Sequence, residues 1–475
     1  MATSAAEAAE RPVREADVVA LRERLRGELL RPGDAGYDQA RALWNGAIDV
    51  RPGLIARCLG AADVVAAVRH ARDEGLPVAV RGGGHNVAGT ATCEGGLVLD
   101  LSAMKGVQVD PAGRTAVAQP GLLWGELDHE TQAFGLATTG GIVTHTGIAG
   151  LSLGGGIGWL MRRDGLTCDN LLGVDLVTAD GRLVAASERE HPELFWGVRG
   201  GGGNFGVVTA FRYRLNQVGP TVLAGPLFFA ADDAGELLRF YRDFAESAPD
   251  ELTTIVNLRY APPLPFIPER LHGAPVVAVI ACWAGPVERG ERVLEPLRRH
   301  GRPLLDLIVP KPYTAHQGTF DATVPHGLHY HWRSEYLDAL GDDAIEVLLA
   351  NAWESRSPRS YTLVFHLGGA VARVPDDATA FSGRTARFAV NVSGVALPEE
   401  YDEQTAWVRR FGQALRPLSA GVYMNFLGDE GQDRVRAAYG AAKYDRLAAL
   451  KAAWDPDNFF RRNQNVRPRA AAGAP

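Results

Sequence analysis

Several things are scarce in this chain, and each scarcity excludes something. Among its 475 residues no run of eighteen consecutive apolar side chains occurs, so nothing reads as a membrane-spanning helix. Excess positive charge is missing too: 49 Lys and Arg stand against 56 Asp and Glu, for a net charge of -7. No basic stripe interleaved with aromatics appears either, which argues against a nucleic-acid partner. Only four cysteines are present, Cys58, Cys93, Cys168 and Cys282, far apart and in no C-x-x-C pair. Reduced thiols in a cytoplasmic protein fit that better than a disulfide framework or a zinc site. The start of the chain carries charges of both signs and no apolar signal core, so it reads as a short tail followed by an amphipathic helix.

What the chain has in quantity is glycine, 55 residues, clustered mainly between 82 and 206. The stretch RGGGHN (81–86) follows the apolar run VAV and fits neither the P-loop nor the G-x-G-x-x-G pattern. Three glycines in a row lose much backbone entropy on ordering, so they suit a place where side chains would obstruct. Taken alone they are as well explained by a tight turn between strands. The second cluster, GGIVTHTGIAGLSLGGGIG (140–158), alternates glycine with apolar residues instead of the polar residues of a flexible linker. A third, RGGGGNFGVV, spans 199–208. Three such loops point to backbone lining a large, flat, phosphate-bearing cofactor. His85 and His145 draw interest only because they sit inside these clusters; each is also compatible with a hydrogen-bonded turn or a satisfied buried histidine.

Around these loops the periodicity predicts an α+β chain rich in antiparallel turns. A helix over 62–75 stops at Gly75, LPVAVR is a strand, and 122–134 is a helix. NLLGVDLVTADGRLVAA reads as a strand, and the tail from RVRAAYG to the WDPDN turn as a helix. The composition changes near 216–235. Beyond it, strands at TTIVNLRYA, PVVAVIACWAG, YTLVFHLGG and TARFAVNVSG alternate with helices, which suggests one sheet with one helical face.

Taken in order, RGGGHN with GGLVLDLSAM, GIVTHTGIAGLSLGGGIGWLMRRDGLTCDNL, LFWGVRGGGGNFGVVTAFRYRL, VYMNFLG and the WDPDNFFRRNQNV tail closely resemble the berberine-bridge-enzyme-like FAD-linked oxidoreductases. These belong to the vanillyl-alcohol oxidase and p-cresol methylhydroxylase superfamily, and the likeness, over about residues 38 to 468, is greater to bacterial 6-hydroxy-D-nicotine-oxidase-like members than to plant enzymes. The resemblance implies a two-domain fold of this superfamily: an N-terminal extension and helix over 1–37, an FAD-binding domain over 38–215, a substrate domain over 216–417 built on an antiparallel sheet with helices on one side, a segment over 418–468 returning to the FAD domain, and a tail over 469–475.

It also implies that Arg81, Gly82, Gly83, Gly84, His85 and Asn86 hold the pyrophosphate, with His85 bonded to the flavin 8α-methyl carbon. Thr144, Gly147, Gly150, Gly154, Gly155 and Gly158 would follow the cofactor, His145 would lie near the pyrimidine side of the flavin, to hydrogen-bond or tune charge there, Gly206 and Val208 would stand near its adenine, and Asn425, Asn463 and Gln464 on the flavin side. Members with a second covalent anchor carry a cysteine where this chain has Val143, so attachment through His85 alone is expected. Tyr423 is the leading polar residue on the substrate side, either as a proton-abstracting base or as a positioning group. Trp332, Tyr336 and His366 are candidates for pocket lining or for ordinary core packing. The H-x-x-H-x-H spacing at 326–331 is read as no metal site.

The expected activity is that of an oxidase that removes a hydride from an alcohol or amine carbon of a small organic substrate and passes electrons to O2. A dehydrogenase or desaturase with another acceptor, a sugar oxidase and a nonredox flavin-binding scaffold are the alternatives.

Overall fold

The computed structural model describes residues 15–470. Part of the predicted extension (1–14) and of the tail (471–475) lies outside them. Within them, the chain first builds a four-stranded sheet in the order Glu28–Leu30, Leu54–Arg57, Leu97–Asp100, Val78–Arg81. The last three strands run parallel, and Leu97–Asp100 between its two neighbours is buried along its whole length, as expected of a central parallel strand. Helix Ala61–Asp73 covers the sheet through Val64, Ala67, Val68 and Ala71. Gly75, at φ 66°, turns the chain back into the next strand. Glu28–Leu30, expected to precede the folded unit, pairs with Leu54–Arg57 as the sheet's edge.

A second sheet, antiparallel, has the order Val107–Asp110, Thr115–Ala118, Val207–Arg214, Leu171–Val177, Leu183–Ser187. Its last two strands correct the sequence reading of one strand over NLLGVDLVTADGRLVAA. Gly181, at φ 75°, closes a hairpin that a side chain at that residue would strain. The single helix expected in the tail is also two, Gln432–Tyr439 and Ala441–Trp454, interrupted at Gly440 with φ 73°. Both pack beside helix Pro192–Val198 through Val435, Ala438, Leu447, Phe195 and Trp196.

The third sheet is wholly antiparallel, in the order Leu305–Asp306, Thr221–Ala230, Pro275–Trp283, Leu252–Tyr260, Tyr361–His366, Phe388–Ala396, His329–Leu337. Helices Ala234–Ser247, Val287–Arg299, Asp342–Asn351 and Tyr401–Leu415 share one core with one of its faces. The other face looks toward the glycine-rich loops. Two units, each α+β, thus meet at the bare face of this sheet. Among the described residues no helix is long and apolar enough to cross a membrane, and all four cysteines are free and buried.

Candidate functional site

The loop Gly82–Asn86 leaves the carboxyl end of strand Val78–Arg81, the end of a parallel sheet at which ligand crevices form. Its glycines are required by close approach. A Cβ on Gly83 would lie 2.5 Å from the Gly147 main chain, and one on Gly147 would lie 2.4 Å from Gly83 N, so the first two glycine clusters touch backbone to backbone. Gly150 and Gly203 would meet nothing within 4 Å, and both border one cleft. The main-chain N–H groups of Gly83, Gly84 and His85 donate to no protein acceptor among the described residues. The buried Asn463 Oδ1, in the same cleft, also has no partner.

The cleft encloses about 280 Å³. It runs from Gly202, Gly203, Gly206, Val208, Arg462, Asn463 and Gln464 past Gly82–Asn86 and Gly154 to the bare face of the third sheet. Register creates the far wall. Trp332 pairs with Ser393 and Ser393 with Tyr361, while Asn391 pairs with Leu363. Because side chains alternate along a strand, Trp332, Tyr361, Leu363, Phe365 and Asn391 share this face. Trp44 and Phe426 complete the wall, and no Asp, Glu, Lys or Arg side chain lines that half among the described residues. Trp332 Nε1 and Asn391 Oδ1 are buried there without partners.

Tyr423 stands between the two halves. Its hydroxyl oxygen receives Gly156 N–H at 2.9 Å, Ile157 N–H at 3.1 Å and Asn425 Nδ2 at 2.8 Å. Asn425 Nδ2 also donates to the Leu151 carbonyl at 3.1 Å, which fixes which end of the amide faces the tyrosine. Gly154 makes this possible, since a Cβ there would sit 1.9 Å from Asn425 Oδ1. Burial pushes the phenol up to about 12, against the pull of the three donors.

On the other side of the glycine loops, His85 Nε2 lies 3.1 Å from His145 Nδ1, and Trp44 stacks on His85 at 4.0 Å. Desolvation, then the neighbouring His145 and His326, holds the His85 imidazole well below its usual pKa and therefore neutral.

Sequence comparison agrees with this geometry. A model of the FAD binding domain matches residues 52–187, and one described as berberine and berberine like matches 422–467. An FAD-linked oxidoreductase of Dictyostelium discoideum is 34% identical over 94% of this chain and 96% of its own. (R)-6-hydroxynicotine oxidase of Paenarthrobacter nicotinovorans is 33% identical over 94% and 98%. The chain belongs to the berberine-bridge-enzyme-like FAD-linked oxidoreductases. The crystal structure of 6-hydroxy-D-nicotine oxidase from Arthrobacter nicotinovorans superposes on this enzyme with a TM-score of 0.80 at 32% identity, covering 94% of this chain and 98% of that one. The site residues fit FAD: unpaired main-chain donors suit a pyrophosphate, and the open glycine faces suit a flat ring.

Most of the residues singled out in the sequence meet in this flavoenzyme's cleft: Gly82, Gly83, Gly84, His85, Asn86, Gly147, Gly150, Gly154, Gly206, Val208, Trp332, Tyr423, Asn425, Asn463 and Gln464. Others stand behind it. The Arg81 guanidinium turns to the Ala40 carbonyl. Thr144 is tied to Asp321, and His145 reaches the cleft only through His85. Gly155 and Gly158 face protein, where Cβ atoms would strike Phe381 at 2.4 Å and the Gly140 carbonyl at 1.6 Å. Tyr336 packs its ring on Gly383, and His366 is held by Arg162 Nη1 at 2.9 Å, so neither lines the cleft. His329 and His331 alternate onto the face opposite Tyr330 and Trp332. Sequence reasoning missed Trp44, Asn391 and the row Tyr361, Leu363, Phe365. The i, i+2 spacing in YTLVF carried a signal for the last three; nothing local marked the other two.

Proposed function

We propose that this enzyme is an FAD-dependent oxidase that takes a hydride from an alcohol or amine carbon of a small, flat, uncharged organic substrate and returns the electrons to O2 as H2O2. We further assign residues 38–215 with 418–468 to the cofactor unit and 216–417 to the substrate unit. FAD is held covalently through His85 alone, since Val143 cannot form a thioether. When bound, it supplies the two-electron acceptor at N5 of its ring. The protein contributes binding, orientation and proton handling. The Gly83–His85 amides hold the phosphates; Asn463 and Gln464 orient the ring; Trp332, Tyr361, Phe365 and Phe426 exclude water and sandwich the substrate, while Trp44, stacked between His85 and Tyr330, backs the wall. A cationic substrate would be left without a counter-charge in this half of the cleft, so it binds neutral. Tyr423 Oη is the group placed to take the substrate's heteroatom proton, its three N–H donors stabilising the phenolate in which it acts as a base.

The observation that carries this reading is the continuity of one cleft from bare glycine backbone to an uncharged aromatic wall, with Tyr423 at the junction. The test is anaerobic mixing of the yellow protein with panels of flat amines, alcohols and sugars, followed by O2. Bleaching by a flat neutral amine or alcohol and stoichiometric peroxide on aeration are expected. Bleaching by sugars alone, or slow reoxidation by O2 beside fast reoxidation by a quinone, would reject it.

A further inference from the structure

We propose that His145 is the proton acceptor for His85 during its bonding to the flavin, with Asp321 as counter-charge and His326 as the exit to solvent; this rests on the attachment through His85 proposed above. Only one hydrogen fits between two imidazole nitrogens 3.1 Å apart. If His145 supplied it, His85 would carry its own hydrogen on Nδ1 and have no lone pair there. If His85 supplies it, Nδ1 is a free nucleophile and His145 Nδ1 is already the acceptor of the hydrogen that must leave. Trp44, stacked at 4.0 Å and 13°, holds the His85 plane.

The balance closes on groups that are named. Nδ1 forms a bond to the 8α carbon, one C–H bond of that methyl breaks, and its electron pair reduces the ring by two electrons. The methyl proton passes to the reduced ring, and the His85 Nε2 proton passes to His145. Dioxygen then reoxidises the ring.

The surroundings of His145 suit this task. Thr144 donates its main-chain N–H, at 2.9 Å, and its hydroxyl to the Asp321 carboxylate, fixing that carboxylate within electrostatic reach of His145. Desolvation and then His326 hold the His145 pKa below its usual value, so it stands neutral and able to accept a proton, and Asp321 partly offsets them as the counter-charge. His326 reaches the surface, its ring centroid is 5.0 Å from that of His145, and partial desolvation, then Arg81, discourages charge on it. His145 Nε2 is buried without a partner, an arrangement that costs stability and that packing alone does not explain.

The test uses full-length apoprotein from riboflavin-starved cells mixed with FAD. Bound flavin is followed by fluorescence quenching, and covalent flavin by intact mass after denaturation. His145→Ala is expected to take up FAD with near-normal affinity but to form the bond at least ~10-fold more slowly, with imidazole in the buffer restoring part of the rate. His145→Asn, which keeps a hydrogen-bonding but non-titrating side chain, should load as slowly. The wild-type rate should fall as pH drops and His145 becomes protonated, and the two variants should lose that dependence. Full-rate loading of either variant, absence of imidazole rescue, or loss of FAD uptake in both would overturn the proposal. Covalent flavin persisting in His85→Ala, or no covalent flavin in wild type, would instead overturn the His85 attachment itself.

Discussion

Trp44 and His85 lie face to face, ring centroids 4.0 Å apart and planes 13° from parallel, and Tyr330 stacks on the same indole at 3.7 Å. The indole N–H donates to the Val324 carbonyl at 2.9 Å. One side chain thus joins the loop Gly82–Asn86 to the third sheet and the segment before it. Trp44→Ala should cost about 3–5 kcal/mol, the usual range for emptying a buried tryptophan site. A urea midpoint within error of wild type would contradict it.

Tyr423→Phe removes the one acceptor of three N–H groups. Leaving Gly156 N and Ile157 N unpaired should cost about 1–3 kcal/mol of stability. A base is active only when deprotonated, and burial holds this phenol near about 12. Wild-type flavin reduction should therefore accelerate with pH across the accessible alkaline range. In the variant, stopped-flow reduction should be ~10²–10⁴-fold slower and lose that slope. A raised KM with unchanged kcat would reduce Tyr423 to a positioning group.

Asp128 in helix Trp124–Gln132 is buried at the seam between the units, where Gln317 Nε2 donates to it at 2.7 Å. Burial pushes its carboxyl up to about 7 from 3.8. Between those values the folded chain holds a proton that the unfolded chain has lost, so stability falls as pH rises from about 4 to 7. Asp128→Asn keeps an oxygen for Gln317 and removes the charge. The variant should be more stable by about 2–4 kcal/mol at pH 8 and nearly unchanged at pH 4. Equal urea midpoints for the two proteins at pH 8 would refute this.

Lys451 and Asp455 form an ion pair of which neither side chain is exposed, 2.6 Å apart. Lys451 also donates to the Asn204 and Phe460 carbonyls, and Asp455 accepts from Phe459 N and Phe460 N. The pair locks the WDPDN turn to the third glycine loop. Lys451→Met strands a buried carboxylate and should cost about 3–5 kcal/mol. FAD affinity in His85→Ala, where no bond retains the cofactor, should fall further when Lys451→Met is added. Equilibrium dialysis measures both.

The sequence by itself determined the glycine-rich loops, because what they need is local: φ values and close approaches that only glycine allows, as where Gly83 meets Gly147. It also marked His85, Tyr423 and Asn425, since each stands within or beside a recognisable motif. Tertiary structure alone decided the aromatic wall of the cleft and the partners of His85. Strand register sets Asn391 and Leu363 side by side, and Trp44 reaches a histidine 41 residues away and a tyrosine on another sheet. Tyr336 and His366, plausible by residue type, were carried behind the lining by the same packing. A turn's backbone is specified by a few neighbouring residues, whereas convergence of side chains from distant segments depends on how whole sheets and helices pack.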